Sequence, residues 1–337
     1  LQRLGLGEAR VFLSSFDRPN IRYTVVEKDN AKKQLLGFLA GRQGQAGIVY
    51  CLSRKKVEET AEWLSAQGYP ALPYHAGLPA PERAANQRRF LREEGLIMCA
   101  TIAFGMGIDK PDVRFVAHLD LPKSIEAYYQ ETGRAGRDGL PANAWLAYGL
   151  NDVIQLTGMI EASGADEEQK DVERRKLEAM LGLCETTDCR RQTLLGYFGE
   201  QAAPCGNCDN CLHPSVKFEA KDALVVVLEA VAAVKENFRQ EYIIDFVKGR
   251  ATDDIVSHKH DNLEEFGAGE DMDAKVWNPV IRQALIAGYL KKDVENYGLL
   301  KLTAAGKRYL KNPTSFMIVA DKEFKDDYVE SVHEGCN

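Results

Sequence analysis

The sequence predicts an α/β domain with a parallel sheet, followed by a helical metal-binding subdomain and a winged-helix domain. Strand-like and helical segments alternate from about residue 46 to residue 149, the pattern of βαβ units and a parallel sheet. Four cysteines then cluster between residues 189 and 211. Three helical segments and two short strands follow, which is the order of elements in a winged helix.

Each element of the α/β domain has its own hydrophobic pattern. Because ligands of open parallel sheets bind in the loops that follow the strands, the candidate binding loops follow Leu52, Tyr74, Ala100 and Gln130. The predicted strands are GIVYCLS, ALPYHAG, LIMCAT, VRFVAHLDL and NAWLAYG, and the predicted helices are RKKVEETAEWLSAQG, APERAANQRRFLREEG and SIEAYYQE.

The remaining elements set the expected domain boundaries. Residues 151 to about 184 are helical and charged, and two short strands lie around Glu295–Gly298. We therefore expect domains at 1–150, 151–215 and 216–312, with an acidic tail of unspecified order at 313–337. The three helices of the last domain are KDALVVVLEAVAAVKE, EYIIDFVKG and DAKVWNPVIRQALIAG.

Composition limits the class of protein. The chain has 337 residues of which 45% are hydrophobic, enough for two or three domains with cores of their own. No apolar run is long enough to cross a bilayer, and the first residues lack a secretory signal, so no membrane partner is expected. The net charge of −7 argues against a wholly basic nucleic-acid coat and leaves room for a local basic groove.

Cys189, Cys205, Cys208 and Cys211 have the spacing C-x15-C-x2-C-x2-C. Two consecutive C-x2-C steps curl the backbone so that thiolates converge, and four sulfur ligands leave no open position for water. The pattern predicts a structural zinc ion in a reducing compartment. Unmetallated thiols and an iron–sulfur cluster, which also takes four thiolates, are the alternatives.

The stretch YYQETGRAGRDG places Arg134 and Arg137 in a glycine-rich turn after a helix. Guanidinium groups in such a loop suit phosphate, and an arginine finger neutralises charge during phosphoryl transfer. Alone, the same pair would be interpreted as surface salt bridges.

These segments carry a resemblance to a known family. The stretch from ATIAFGMGIDKPD to ETGRAGRDG resembles motifs V and VI of superfamily 2 helicases, in the form found in RecQ DNA helicases; IVYCLSRKKVEE resembles motif IV and YHAGL the short motif after it, and SSFDRPNIRY also matches. With the cysteines and the winged helix, the resemblance runs from about Arg10 to Leu310. It implies a RecA-like fold for the α/β domain, and ATP-dependent 3′-to-5′ DNA unwinding in repair, recombination, replication and the SOS response.

The 337 residues contain no G-x-x-x-x-G-K-[ST] phosphate loop and no D-E-x-H box. The family carries both on an amino-terminal RecA-like lobe, so we expect this chain to be the second lobe with its accessory modules. It should use ATP and Mg²⁺ only with the missing lobe as partner, and should bind DNA without hydrolysing ATP alone. Single-stranded and duplex DNA and single-strand DNA-binding protein are the further partners implied, with a cytoplasmic, nucleoid-associated location in a bacterium.

The resemblance also implies residue roles at the nucleotide. Arg137 should be the arginine finger, with Arg134 beside it and Gln130 at the start of the motif. Gly107 and Asp109 should approach the nucleotide; the alternative for Asp109 is a loop acid that caps the turn before Lys110.

Contacts to DNA are expected from two places. Loops at one edge of the sheet can follow a single strand, with His75 having a structural role as its alternative. In the winged helix, Lys275, Arg282 and Lys291 are the candidates for duplex phosphates, with a solvated lysine as the alternative for Lys291. The single-strand candidates are Ser53, Arg54, His75, Gly77 and Thr101.

Two other functions remain open at this point. One is a DNA-binding module whose α/β domain is vestigial, although the intact arginine pair argues against it. The other is an RNA helicase, although the zinc site together with the winged helix favours duplex DNA.

Overall fold

The computed structural model describes residues 15–105, 108–214, 217–293 and 298–319. Contacts divide the chain into two compact units. The first holds residues up to Tyr148 together with Asp171–His213, and the second holds Gly149–Lys170 together with residues from Pro214 onward. No described helix is long and apolar enough to cross a membrane.

The first unit is built on a six-stranded sheet in which every pairing is parallel, in the order β1-β6-β5-β2-β4-β3. This confirms the predicted parallel α/β domain. The strands are β1 (Ile21–Glu27), β2 (Gly47–Tyr50), β3 (Ala71–Tyr74), β4 (Ile97–Ala100), β5 (Phe115–His118) and β6 (Ala142–Tyr148), and the helices are α1 (Ala31–Leu39), α2 (Arg54–Ala66), α3 (Ala80–Arg92) and α4 (Ile125–Thr132).

Local chemistry fixes where the important helices begin. The Ser53 hydroxyl accepts the Lys56 N–H at the start of α2, and the Ser124 hydroxyl accepts the Ala127 N–H at the start of α4. Each serine satisfies one backbone donor that the first helical turn leaves open. Strands β2, β4 and β5 are buried along their whole length, as expected for a parallel sheet covered on both faces.

The domain boundaries expected at 151 and 215 stay predictions. By its contacts, the cysteine-bearing segment groups with the first unit. The reason is a set of polar contacts to β1: Arg191 Nη2 donates to the Ile21 carbonyl at 2.7 Å, and Asp209 accepts the Val25 N–H at 3.1 Å. The helices here are α6 (Glu167–Glu185), α7 (Arg190–Tyr197) and α8 (Asp209–Leu212), whereas α5 (Leu150–Glu161) groups with the second unit.

The second unit is a helical core with an antiparallel hairpin, which confirms the winged-helix prediction. The Trp277 side chain is fully buried among the helices, so the apolar stripe of the third predicted helix is core. Residues 294–297, which include Glu295 of the predicted strand pair, lie outside the described residues. The helices are α9 (Lys221–Ala233), α10 (Gln240–Val247), α11 (Asp253–Ser257), α12 (Trp277–Ile286) and α13 (Ala304–Lys311), and the hairpin strands are β8 (Leu290–Asp293) and β9 (Leu299–Leu302).

A second, two-stranded sheet closes this unit. Strand β7 (Lys217–Glu219) pairs antiparallel with β10 (Met317–Val319). Strand β10 lies beyond residue 312, where the winged-helix domain was expected to end, and the boundary of that domain stays a prediction.

Candidate functional site

A cleft of about 540 Å³ lies between the loop that follows β4 and the end of α4. It brings together four residues that the sequence predicted at the nucleotide: Asp109, Gln130, Arg134 and Arg137. Gly107, the fifth, lies outside the described residues. The full lining is Arg18, Gly105, Ile108, Asp109, Tyr129, Gln130, Gly133, Arg134 and Arg137. Three guanidinium groups face one carboxylate in this set, so the cleft is suited to a polyanion.

Arg137 is held by the loop that carries Asp109. Its Nη1 donates to the Asp109 carboxylate at 2.9 Å and to the Ile108 carbonyl at 3.1 Å. The Arg137 side chain is 37% exposed and that of Asp109 is 83% exposed. Asp109 therefore pairs with the predicted finger, a contact that the sequence analysis did not anticipate.

Arg134 lies deeper in the cleft and contacts the loop after β4. Its Nη1 donates to the Gly105 carbonyl. A Cβ atom added at Gly105 would lie 2.7 Å from Arg134 Nη2, so glycine at this position makes room for the guanidinium. Burial raises the pKa of Tyr50, and the hydrogen bond from Arg134 partly opposes that rise.

The turn that carries both arginines depends on Gly136. Its φ is +57°, and a Cβ atom there would lie 2.4 Å from Asn20 Nδ2 and 2.7 Å from the Leu140 carbonyl oxygen. Any other residue would meet both an unfavourable backbone conformation and a clash. The spacing of Arg134 and Arg137 therefore depends on a glycine that permits close packing.

Arg18 also lines the cleft, although its position in the sequence predicted no role there. Its Nη1 donates to the Gly133 carbonyl at 2.9 Å, and its Nη2 donates to the Ala135 and Gly136 carbonyls at 2.8 and 3.0 Å. The one sequence feature that could have indicated a role for Arg18 is its place in SSFDRPNIRY, the segment that resembles the family.

Helix α4 is anchored to the sheet by a buried pair. His118 Nε2, at the end of β5, contacts Glu131 Oε2 at 2.8 Å, and both side chains are at most 10% exposed. Because Glu131 follows Gln130 directly, this contact fixes the helix that presents Gln130 to the cleft.

The loops predicted to follow a single strand are neighbours, because β2, β4 and β3 are adjacent in the sheet. Arg54 and His75 flank Gly77: a Cβ atom at Gly77 would lie 3.1 Å from both the Arg54 side chain and His75 Nδ1. Gly77 thus lets the backbone pack closely against both side chains.

His75 is held by contacts within the chain. It is buried; its Nε2 contacts Glu58 at 2.8 Å, and its Nδ1 accepts the Gly77 N–H at 3.1 Å. Both ring nitrogens are used in these contacts, which suits the structural alternative; a contact of His75 with phosphate stays a prediction.

Ser53 and Thr101 keep a donor for an outside group. The Ser53 hydroxyl accepts the Lys56 N–H, and the Thr101 hydroxyl accepts the Ala103 N–H at 3.4 Å. An accepting hydroxyl still has its own hydrogen to donate, and phosphate oxygens are suitable acceptors.

The three duplex candidates lie on neighbouring elements of the second unit. Lys275 lies in the short turn Ala274–Val276 before α12, and Arg282 is half-buried on α12. Lys291 is exposed on β8 and lies directly opposite Lys301 of β9. Like charges opposite each other destabilise a hairpin, and a bound polyanion would relieve that repulsion.

The four predicted metal ligands converge. The Sγ atoms of Cys189, Cys205, Cys208 and Cys211 all lie within 4.8 Å of one another, and two of the pairs are 3.9 Å apart. A tetrahedral zinc with Zn–S bonds of about 2.3 Å needs sulfurs about 3.8 Å apart, so the residues fit the ion.

The four cysteines differ in how readily they lose a proton. Burial acts to raise the pKa of Cys189, but N–H donors from Cys205 and Gln192 outweigh it and lower that pKa to about 7. Burial and the neighbouring Cys189 sulfur raise the pKa of Cys205 to about 12. Because metal ligands must be deprotonated, a cation that binds here would displace the Cys205 proton.

A buried ion pair supports the cysteine site. Arg190, the first residue of α7, donates from Nε and Nη2 to the two carboxylate oxygens of Asp209 at 2.8 and 2.9 Å. Arg190 Nη1 also donates to the Leu183 and Cys184 carbonyls at 2.7 and 2.9 Å. Burial opposes the charge on Arg190, but Asp209 outweighs it and raises the arginine's pKa.

Comparison with known proteins matches three family models to the chain in succession: a helicase conserved C-terminal domain over residues 27–139, a RecQ zinc-binding domain over 150–212 and an RQC domain over 214–327. Proteins named ATP-dependent DNA helicase RecQ from Pasteurella multocida and Haemophilus influenzae are each 42% identical over 313 residues, covering 92% of this chain and 49% and 50% of the relatives. One from Bacillus subtilis is 31% identical over 323 residues, covering 96% of this chain and 54% of that protein.

The chain spans about half the length of these curated relatives. Its parallel α/β lobe, its converging cysteines and its winged helix occur in the order of the three matched models. With these matches, the chain belongs to the RecQ family of helicases.

Proposed function

We propose that the chain supplies the second motor lobe and the DNA-binding modules of an ATP-dependent 3′-to-5′ DNA helicase. The observation that carries the proposal is the cleft in which Gln130, Arg134 and Arg137 meet, in a sequence that contains no phosphate loop of its own. Arginines without a phosphate loop can complete a nucleotide site whose loop is supplied by another lobe.

In this function Arg137 is the arginine finger. Its ion pair with the largely exposed Asp109 is of the kind worth only about 0–1 kcal/mol, so a triphosphate can displace the carboxylate. Charge that develops on the γ-phosphate is then neutralised by the guanidinium. Mg²⁺, when bound with ATP, would neutralise the β- and γ-phosphate oxygens. Arg134, held by Gly105, connects the cleft to the loop that contains Thr101.

DNA is bound by both units in this proposal. Ser53, Arg54, Gly77 and Thr101 follow the phosphates of a single strand, with His75 supporting the loop. Lys275, Arg282 and Lys291 contact the phosphates of the duplex. We also propose the finer features that the family suggests: an amino-terminal lobe and single-strand DNA-binding protein as partners, nucleoid association, and roles in DNA repair, recombination, replication and the SOS response.

The test is steady-state ATP hydrolysis with saturating single-stranded DNA, in an enzyme that joins this chain to a lobe carrying a phosphate loop. Arg137→Ala should lower kcat by about 10³–10⁵ with little change in KM, because the finger acts on charge that forms in the transition state. Arg137→Lys should also have a low kcat, because a single ammonium group cannot replace the planar, forked guanidinium. Arg89, an exposed arginine paired with Glu93 outside the cleft, is the matched control.

If Arg137→Ala keeps more than about a tenth of the normal turnover, the loss is under roughly 1.4 kcal/mol and Arg137 is not the finger. The 337-residue chain alone gives a second test. It should bind DNA and release no phosphate above background, so DNA-stimulated turnover by this chain would contradict the proposed division of the nucleotide site.

A further inference from the structure

The segment Ser15–Ile21 contacts the turn that carries the two arginines. We propose that Arg18, in this segment, is a positioning residue that fixes the backbone of the turn and thereby aims Arg134 and Arg137 at the nucleotide. The inference rests on the proposed function of that turn. Arg18 lies 115 positions before Gly133, whose carbonyl it binds.

The Gly136 carbonyl, one of the three acceptors of Arg18, also accepts the Gly139 N–H and Asn20 Nδ2; Arg18 adds a donor for it and for the Gly133 and Ala135 carbonyls. Gly133 ends helix α4, and the last carbonyls of a helix have no partner within it and carry partial negative charge. Gly133 and Gly136 also give this backbone more freedom than other residues would. A guanidinium that binds the carbonyls of residues 133, 135 and 136 satisfies these groups and removes that freedom.

The carbonyls that Arg18 binds belong to residues next to Arg134 and Arg137. Gly133 and Ala135 are the immediate neighbours of Arg134, and Gly136 immediately precedes Arg137. Both terminal nitrogens of Arg18 are occupied by backbone carbonyls. Arg18 therefore lines the cleft and acts through the turn, whereas Arg134 and Arg137 are the groups available to phosphate.

Two neighbours hold the same arrangement in place. Asn20 Nδ2 donates to the Gly136 and Leu140 carbonyls, both at 2.8 Å. The segment is therefore bonded to the positive-φ glycine and to the backbone that follows it. Arg191 Nη2, on helix α7, donates to the carbonyls of Pro19 and Ile21 at 3.0 and 2.7 Å. The segment that carries Arg18 is thus fixed from its other side by the helix that begins next to Cys189.

The experiment measures kcat and KM for ATP in the two-lobe enzyme carrying Arg18→Ala, Arg18→Lys, Arg137→Ala or the control Arg42→Ala. A misplacement of about 1 Å can cost on the order of 10²-fold in rate, so Arg18→Ala should lower kcat by roughly that factor and leave KM for ATP nearly unchanged. The kcat of Arg18→Lys should lie between that of Arg18→Ala and that of the native enzyme, because lysine keeps the charge and hydrogen-bond donors but loses the planar, forked guanidinium. Arg42 also donates to a helix-end carbonyl, that of Phe38, but lies outside the cleft lining, so its variant should keep normal turnover.

Hydrogen exchange supplies a readout that does not depend on activity. The Gly136 N–H is bound to the Val113 carbonyl at 2.8 Å, and the Gly139 N–H to the Gly136 carbonyl at 3.0 Å. Both amides should exchange faster in Arg18→Ala, whereas the Cys51 N–H, bound to Ala100 in the sheet at 2.8 Å, should not change. Equal acceleration at all three amides would overturn the inference, because Arg18 would then stabilise the whole unit.

The variants separate failure of this inference from failure of the proposed function. If Arg137→Ala remains active, the finger itself is wrong. If Arg137→Ala is inactive and Arg18→Ala turns over normally, the function stands and the positioning role is refuted. Adding Arg18→Ala to Arg137→Ala should lower kcat by a smaller factor than Arg18→Ala does in the native enzyme, because one of the two arginines that Arg18 positions is already gone; the same factor in both backgrounds would contradict the inference.

Discussion

Replacing Arg190 by methionine should destabilise the first unit strongly, because Asp209 would remain as a buried, unpaired charge. The two side chains are only 6% and 5% exposed and meet through two parallel hydrogen bonds. Asp209 also accepts the Val25 N–H of β1, so it cannot turn toward water without breaking a contact to the sheet. Methionine keeps the length of the side chain and removes every donor.

The expected size follows from this burial. Breaking a buried ion pair by removing one partner costs about 3–5 kcal/mol. At about 2–4 °C per kcal/mol for a unit of this size, a loss of 3–5 kcal/mol lowers the unfolding midpoint by roughly 6–20 °C. Adding Asp209→Asn to Arg190→Met should recover part of that loss, because the amide leaves no charge behind.

The assay is thermal unfolding of the zinc-loaded chain, with the zinc content of each variant measured in parallel. The matched control is Arg89→Met, because Arg89 binds Glu93 through the same fork, at 2.8 and 3.0 Å, but on the exposed surface. Water screens such a pair, so the control should melt close to the native chain. A shift in Arg190→Met no larger than in the control, at equal zinc content, would mean that Asp209 is solvated and the reasoning is wrong.

Two further predictions concern the metal and the duplex, and a third concerns the turn. Cys208→Ser should lower thermal stability because metal binding contributes to folding, and elemental analysis should give about one zinc per chain; a metal-free chain of equal stability would exclude the site. Arg282→Ala with Lys291→Ala should weaken duplex binding for all sequences alike and reduce the salt slope by about one per lost contact; an unchanged titration would move the duplex site elsewhere. Gly136→Ala should impair ATP hydrolysis in the two-lobe enzyme because its Cβ would clash with Asn20, and normal turnover would show that the turn tolerates a side chain.

The fold was predictable where the signal is local. Strands β2, β4 and β5 are short apolar runs between amphipathic helices, so hydrophobic periodicity alone identifies them. The edge strand β1 (Ile21–Glu27) and helix α1 (Ala31–Leu39) were missed. Strand β1 carries arginine and glutamate among its apolar residues, and its residues alternate in burial. Such a strand has no continuous apolar run that would identify it in the sequence.

The site was predictable only where its residues are close in sequence. Gln130, Arg134 and Arg137 share one helix end, and the cysteines are set by ligand spacing. Arg18 binds residues more than 100 positions further along the chain, and no local sequence pattern predicts such a contact. The pairing of His75 with Glu58 on α2 is likewise a property of the packed sheet, and the sequence of the loop alone does not predict it.

The arginines of the cleft differ in what they would lose when a nucleotide arrives. Arg137 is partly exposed and binds the Ile108 carbonyl and the exposed carboxylate of Asp109; the ion pair is a weak contact that phosphate can replace with a stronger, charge-assisted one. Arg18 binds three backbone carbonyls, and leaving them would cost about 1–3 kcal/mol for each carbonyl that is left buried without a donor; the Gly136 carbonyl would keep the Gly139 N–H and Asn20 Nδ2. In the proposed function, the same side chain chemistry therefore suits Arg137 to reach the nucleotide and Arg18 to hold the turn, because their acceptors differ in charge and number.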